Sequence, residues 1–348
     1  MSKKVLLSGI QPSGKSHIGN YFGMMKQMVD LQNDYDMYLM IADYHALKSV
    51  KDPKVLSENI LAVLLDFLAL EINPKKVVFF KQSDVSEHTE LTWIFDTFIS
   101  MTYLTQAHAY KDALSKEKQK IYNNDPLVKG LGTGVNEQQL SSKIEDLALS
   151  FIDVGTFNYP VLMASDILLY DTDIVPVGRD QEQHVETARA VARKFNNQYG
   201  VIFKLPEAKI LENVATVPGV DGRKMSKSYG NTIPLFAEYE EIKKAVMSIV
   251  TDSGASIPEN VYAIHKLFRS ETELKKIYEE KSGKYKELKE LLIEDLEKFI
   301  APLRERRKKF EKDIPAALAI LKEGGKKAKK VASKKMEEVR EKIGVSVY

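Results

Sequence analysis

Two stretches of the sequence carry residue types suited to handling phosphate. The first, SGIQPSGKSHIGN at 8–20, spaces Gly9, Gly14 and Gly19 among small hydroxyls, a proline and His17. The second, KMSKS at 224–228, sets Lys224 and Lys227 around Met225 and Ser226, with Gly219, Gly222 and Gly230 beside it. A strand that ends in a glycine-rich turn and feeds a helix leaves unpaired N–H groups and a positive dipole end facing a ligand. Gly9, Gly14 and Gly19 would then clear room for a phosphorylated molecule, although a tight turn alone accounts for the first stretch equally well. The spacing fits neither the dinucleotide fingerprint nor the P-loop, because GKS at 14–16 lacks the upstream glycine of the latter. A glycine-hinged loop with two ammonium groups suits clamping a triphosphate and following its charge onto leaving pyrophosphate.

The elements around these stretches read as alternating strands and helices. KKVLLSG, DMYLMIAD (36–43), KVVFFKQ (76–82) and TDIVPVG (172–178) are short apolar runs with strand character. Helical spacing covers 21–33, 53–71, 87–103 and the stretch from Arg179 to Gly200, with Pro53 opening one helix and Asn73-Pro74 following it. Strands separated by helices of this size predict parallel βαβ crossovers and an α/β fold. The polar, lysine-rich excursion at about 111–148 shows no clean period, and GLGTG at 130–134 breaks it. Past about residue 232 the sequence reads as almost wholly helical, which places the expected domain boundary there and divides the chain into 1–231 and 232–348.

Composition narrows the classes. The chain has 348 residues, 44% hydrophobic and 29% charged, and a net charge of +2, as expected of a globular protein with one large and one smaller domain. With no cysteine, disulfides, thiolate metal sites and Cys nucleophiles are excluded. The histidines are scattered without helical pairing, so no protein-bound metal site is expected. No apolar run approaches the roughly 18 residues that span a bilayer, and the N-terminus lacks a signal-peptide pattern. The expectation is a cytoplasmic protein with no membrane partner. The tail from Lys322 to Lys342 is strongly basic, which is either a solvated helix face or a surface for phosphate backbones.

HIGN (17–20) after an N-terminal strand, paired with KMSKS far downstream, resembles the two signatures of the class I aminoacyl-tRNA synthetases, HIGN standing for that class's HIGH. ADYHAL (42–47), YPVLMASDILLYDTDIVPVGRDQEQHVETARAVARKFN (159–196), VPGVDGRKMSKSYGNTI and AKKVASKKMEEVREKIG make the resemblance narrower. They match the bacterial tryptophanyl-tRNA synthetase family, and 111–148 is the main unmatched stretch. The resemblance implies a Rossmann-like parallel-sheet nucleotide-binding domain with a C-terminal α-helical domain on the anticodon side of tRNA. It implies ATP with Mg²⁺ as the substrate complex, L-tryptophan and tRNA(Trp) as the other partners, and a homodimer.

Residue by residue, the resemblance sets His17 and Asn20 against the phosphates, with Lys224 and Lys227 holding them and Ser226 and Ser228 adding donors. Gln11, Pro12, Ser13 and Gly19 belong to the same ATP-binding turn. Gly178, Arg179 and Asp180 follow a strand end, where Asp180 would accept from ribose hydroxyls. Val217 would offer backbone to adenine, and Met225 lies within the lysine loop. For the amino acid, Asp166 is expected to accept the indole N–H. Tyr159 and Gln181 are matched to the α-ammonium group, Met163, Val175 and Val177 to the apolar wall, and His45 to the pocket floor. The residues alone favour a plainer reading of Ser165-Asp166, a helix N-cap or surface turn. Two departures stand out: Leu7 occupies a position where the family often has an aromatic, and the lysine of the 111–148 stretch that would reach triphosphate is undetermined among Lys111, Lys116 and Lys118. The rivals are a tyrosyl-tRNA synthetase, a catalytically silent synthetase-like RNA-binding protein, and a small-molecule nucleotidyltransferase.

Overall fold

The computed structural model describes residues 3–124, 137–178, 181–210, 217–251 and 257–347. Strand β1 (Val5–Ile10) leads into helix α1, which begins at Ile18–Asn20, passes through a π-helical turn at Tyr21–Met25 and continues over Lys26–Leu31. Next come β2 (Asp36–Ile41), α2 (Asp43–Ala46), α3 (Pro53–Ala69) and β3 (Val77–Lys81). The four strands expected from sequence are present, β4 (Ile174–Val177) being the last. A fifth, β5 (Glu207–Ile210), was not expected: it is half-exposed and carries no continuous apolar run. All neighbours run parallel in the order β3-β2-β1-β4-β5. The order therefore reverses between β1 and β4, and an open parallel sheet forms its ligand crevice at such a switch point.

Both faces of the sheet are covered, as the unbroken apolar strands require. Successive residues point to opposite faces. Leu6, Leu39 and Phe79 join one cluster while Leu7, Met40 and Phe80 join the other. The first cluster receives α3 and α13 (Tyr285–Glu311); the second receives α4 (Glu87–Asp96), α8 (Val154–Leu168) and α9 (Glu182–Tyr199). Between α4 and α8 lie α5 (Met101–Thr105), α6 (His108–Asn124) and α7 (Glu137–Ser150). The helix expected over 87–103 is thus broken after Asp96, where Ser100 N-caps a new helix by accepting from the Tyr103 N–H. The aperiodic stretch proves largely helical on either side of 125–136, because α6 and α7 pack mainly on each other and need no continuous apolar stripe. GLGTG at 130–134 lies outside the described residues.

From 239 onward the described residues are mainly helical: α10 (Tyr239–Met247), α11 (Glu259–His265), α12 (Glu271–Glu280), α13 and α14 (Ile314–Ile343). Helix α14 explains a sequence oddity, the Gly324-Gly325 pair in the middle of 30 helical residues. Ala317 and Leu321 precede the pair and enter the first core, whereas Ala328, Ala332, Met336 and Val339 follow it and enter the second. The helix therefore crosses the edge of the sheet at the glycines. A Cβ on Gly324 would lie 1.8 Å from the Phe79 carbonyl oxygen of β3. Covering an edge strand this closely protects its open side from pairing with another chain. The lysines of the basic run, Lys326, Lys327, Lys329 and Lys330, face outward. Among the described residues no single helix is long and apolar enough to cross a membrane.

The sign of one substitution separates helix propensity from packing. On a solvent-exposed helix, Gly→Ala stabilises by about 1 kcal/mol. At Gly324 the clash with β3 is expected to reverse that sign, with a loss of about 2 kcal/mol or more in urea unfolding of Gly324→Ala.

Candidate active site

The glycine-rich turn after β1 is built by reciprocal capping. His17 is the N-cap of α1: its Nδ1 accepts from the Asn20 N–H at 3.3 Å, and the His17 N–H donates to Asn20 Oδ1 at 3.1 Å. Capping takes up Nδ1 alone and leaves the other ring nitrogen of His17 for a different partner. Because Nδ1 is an acceptor, the hydrogen-bond geometry assigns the ring proton to Nε2, which is free to donate. Burial, assisted by the Lys227 charge, pushes the imidazole down to about 4, so the ring is neutral near neutral pH. Gly19 has a steric reason to be glycine: a Cβ would lie 2.9 Å from His17 Nδ1 and 3.3 Å from Met225 Cβ. Upstream, the Ser13 N–H donates to the Gln11 carbonyl at 2.9 Å; Gln11 and Ser13 are exposed and Pro12 is buried.

The lysine loop closes onto this turn. Lys227 Nζ donates to the Gly14 carbonyl at 2.9 Å, and the segment after the loop pairs with the turn through Ile18 N–H to Ile233 O at 3.0 Å and Leu235 N–H to Ser16 O at 2.9 Å. Burial pushes the Lys227 ammonium down from its usual value, and Asp66 opposes that shift. Ser226 and Ser228 hydroxyls are 2.9 Å apart. Lys224 is exposed. Met225 and Val217 bury their side chains in the core, and the Val217 carbonyl already accepts from the Met225 N–H at 2.9 Å. Of these two, only remaining backbone groups can meet a nucleotide. Arg179 and Asp180 lie outside the described residues, while Gly178 lines the crevice described next.

At the switch point, β1 and β4 enclose a cavity of about 360 Å³. Asp166, Tyr159, Met163, Gln181, Val175, Val177 and His45 all line it, together with Gln11 and Leu7. Gln11 Nε2 donates to the Tyr159 hydroxyl at 3.2 Å, joining the turn to the cavity. Gly23 and Met24 of the π-helical turn also reach it. With Met24, Met40 and Met163 around it, Leu7 faces a wall that adapts in shape, since methionine fills irregular gaps.

Asp166 is neither a cap nor a surface turn: it lies inside α8 and is 2% exposed. Its Oδ1 accepts from Gln82 Nε2 at 2.8 Å and lies 2.6 Å from His88 Nδ1; its Oδ2 meets His45 Nε2 at 2.8 Å. Burial pushes this carboxyl up, but the His88 and His45 contacts outweigh it and hold it well below the usual carboxylate range. The Tyr170 hydroxyl lies 2.8 Å from His88 Nε2 behind the ring. Three partners leave the carboxylate room for one more donor.

Sequence reasoning missed the residues that support the site. Gln82 and His88 hold Asp166, and Asn231 ties down the lysine loop. Asn231 Oδ1 accepts from the Ser226 N–H at 2.8 Å, and its Nδ2 donates to Asp221 Oδ1 at 2.6 Å and to the Lys224 carbonyl at 3.2 Å. None had a local signal, because each acts across a large sequence separation or inside an ordinary turn. Lys111 donates to Gln106 Oε1 at 3.0 Å and Lys118 pairs with Glu145 at 2.7 Å.

Two measurements follow from the turn. Asn20→Ala removes half of the capping box and is expected to cost about 1 kcal/mol in urea unfolding. His17 titrates at about 4 in the fold against 6.5 unfolded, so the unfolded chain binds more protons between those values. Stability is expected to fall as pH drops through that window, and His17→Gln to flatten the slope in denaturation curves taken across it.

The family described as "tRNA synthetases class I (W and Y)" matches residues 2–308. A tryptophan–tRNA ligase of Fusobacterium nucleatum is 42% identical, with 97% of each chain covered, and one of Campylobacter jejuni is 43% identical, covering 98% of this chain and 99% of the relative. The crystal structure of the Campylobacter jejuni tryptophanyl-tRNA synthetase complexed with ADP and tryptophan superposes with a TM-score of 0.81 at 42% identity, covering 98% of this chain and 99% of that one. The Mycoplasma pneumoniae tryptophanyl-tRNA synthetase gives 0.74 at 25% identity, covering 99% and 98%. A parallel sheet with a cavity at its switch point, a capped HIGN turn and a KMSKS loop docked on it thus accompany likeness over nearly the whole length. The chain belongs to the class I tRNA synthetases of the tryptophan and tyrosine group.

Proposed function

We infer that the protein is a tryptophan–tRNA ligase: it activates L-tryptophan with ATP, releases pyrophosphate and transfers the aminoacyl group to tRNA(Trp). The observation that carries the amino-acid assignment is the buried, ionised Asp166 at an otherwise largely apolar cavity. An indole N–H is a pure donor and matches a carboxylate whose other lone pairs are taken. A site with such an acceptor rejects analogues without a donor far more strongly than shape does.

In activation, a tryptophan carboxylate oxygen attacks the α-phosphorus of ATP, the bond to the β-phosphate oxygen breaks, and pyrophosphate leaves with its negative charge. Such a reaction needs positioning and charge stabilisation more than covalent work by the protein. His17 Nε2–H and the start of α1 face the phosphates, Asn20 holds His17 in that pose, and Lys224 and Lys227 follow the charge onto pyrophosphate. Gln11, joined to Tyr159, stands between nucleotide and amino acid; Tyr159 and Gln181 receive the α-ammonium group. Gly178, Arg179 and Asp180 supply the ribose contact, and backbone near Val217 and Met225 the adenine contact. Mg²⁺ enters with ATP as part of the substrate. A terminal ribose hydroxyl of tRNA then takes the aminoacyl group from the adenylate.

Residues 1–231 carry this chemistry in our reading, and 232–348 meet the anticodon arm through outward lysines of α14. The protein works in the cytoplasm as a homodimer. Support for the dimer comes from Trp93, Met101, Phe151 and Val154, large apolar side chains exposed by 72%, 74%, 62% and 78%, since exposed apolar surface is where partners bind.

ATP–pyrophosphate exchange tested with each amino acid is expected to proceed with tryptophan and to fall about 100-fold in kcat/KM for tryptophan in Asp166→Ala. Exchange with tyrosine instead would make the tyrosyl enzyme the better reading. No exchange at all would favour the silent RNA-binding protein. Reversing the charge of Lys326, Lys327, Lys329 and Lys330 is expected to weaken tRNA charging roughly ten-fold or more while sparing exchange; equal loss in both assays would overturn the tail's assignment.

A further inference from the structure

Asp66 is a buried carboxylate beneath the glycine-rich turn, and the chemistry described above uses it only as the charge that opposes the burial shift of Lys227. It stands on α3, 2% exposed, among residues of the first core. Arg307 Nε from α13 donates to its Oδ1 at 2.7 Å, and the Ser16 hydroxyl of the turn acts on the same carboxylate. The Arg307 guanidinium also lies over the Phe236 ring, 5.4 Å from its centre. One turn earlier, Arg304 Nη1 donates to the Ala237 carbonyl at 2.5 Å, and Glu238 pairs with Arg304 at 3.2 Å and with Lys308 at 2.8 Å.

These contacts form one connected joint. Residues 236–238 continue the 233–235 segment that pairs with Ser16 and Ile18, so one stripe of α13 holds both layers around the turn. The floor of the joint is Asp66 with Ser16, and its wall is the strap that leaves the lysine loop. A cleft of about 120 Å³, bordered by Lys15, Ser16 and Arg307, lies between them. Burial pushes the Asp66 carboxyl up against the opposing pull of Arg307, which marks the pair as expensive to bury. An apolar pair of similar volume often stabilises a fold equally well or better, so stability alone does not account for an ion pair at this place.

We propose that the Asp66–Arg307 pair is a positioning device for amino-acid activation, holding Ser16 and the 233–238 strap so that His17 and Lys227 converge on the phosphates of ATP. Neither side chain touches substrate; each acts through the turn and the strap, and Asp66 also through the charge it sets beside Lys227. The inference rests on the ATP-site reading above.

The test uses the full-length protein, with thermal melting and ATP–pyrophosphate exchange measured on each variant. The double variant Asp66→Leu/Arg307→Met replaces the pair by apolar side chains. It is expected to melt near the wild-type temperature while losing roughly ten- to hundred-fold in kcat/KM for ATP, with KM for tryptophan unchanged. A folded double variant with wild-type kinetics, or with ATP and tryptophan affected alike, would overturn the proposal. If the double variant fails to fold, Arg307→Lys decides, since it keeps the charge but loses the planar fork. A selective rise in KM for ATP then upholds the pair's role and unchanged kinetics reject it. Lys227→Ala serves as the control: if it leaves ATP kinetics untouched, the phosphate-site reading fails and the failure is not the pair's.

Discussion

Two backbone hydrogen bonds weld together segments more than two hundred residues apart: Ile18 N–H to Ile233 O, and Leu235 N–H to Ser16 O. Neither bond is stronger than any other between amides, and each contributes only about 1 kcal/mol net. Their importance is geometric. They set the HIGN turn and the exit of the KMSKS loop in one fixed relation, so that Lys227 reaches Gly14 and Met225 plugs the core beside Gly19. A site that handles a triphosphate needs donors aimed at charge that moves during the reaction, and preorganised donors cost no rearrangement at that moment. The loop is anchored by backbone, by Met225 and by Asn231, with Lys227 Nζ held on the Gly14 carbonyl and Lys224 exposed.

The cavity solves a different problem. Placing a carboxylate in an apolar wall would ordinarily raise its pKa and neutralise it. Here Gln82, His88 and His45, from three separate elements, surround Asp166 and hold it ionised. Gln82 is itself oriented, because its Oε1 accepts from the Tyr44 and His45 N–H groups at 3.2 and 3.4 Å and so directs its Nε2 at the carboxylate. Partners from several elements make such a network rigid, although the buried His45 Nδ1 has no hydrogen-bond partner among the described residues. The charge state of Asp166 thus rests on Gln82 and His88 behind it as well as on His45 of the cavity wall.

The helical tail also serves the sheet. Helix α14 seals the β3 edge at Gly324 and enters both cores, and α13 carries the arginines that reach the strap and α3. Arg306 Nε donates to the Ala69 carbonyl at 2.8 Å, satisfying one of the carbonyls that the end of α3 leaves open. A helix whose outer face carries Lys326, Lys327, Lys329 and Lys330 is, on its inner face, part of the packing around the sheet. This arrangement gives a physical connection between the two ends of the molecule.

Much of this was legible in the residues. Continuous apolar runs separated by helical periods determined a parallel α/β sheet, because a strand buried on both faces needs no alternation. Glycines and small hydroxyls between β1 and α1 marked a tight turn at the end of the strand, and the two motifs with their matched blocks pointed to the family and to seven residues that line one pocket. Beyond its reach were β5, half-exposed and lacking a pattern, the break after Asp96, and the π-helical turn that carries Gly23 and Met24 to the pocket. Also invisible were Gln82, His88, Asn231, Asp66 and Arg307, whose roles depend on partners brought close only by folding. Local periodicity and turn chemistry are properties of neighbouring residues and survive in a one-dimensional string. Whether Asp166 caps a helix or waits, ionised, in a pocket is decided by which distant donors surround it, and only the tertiary structure supplies them.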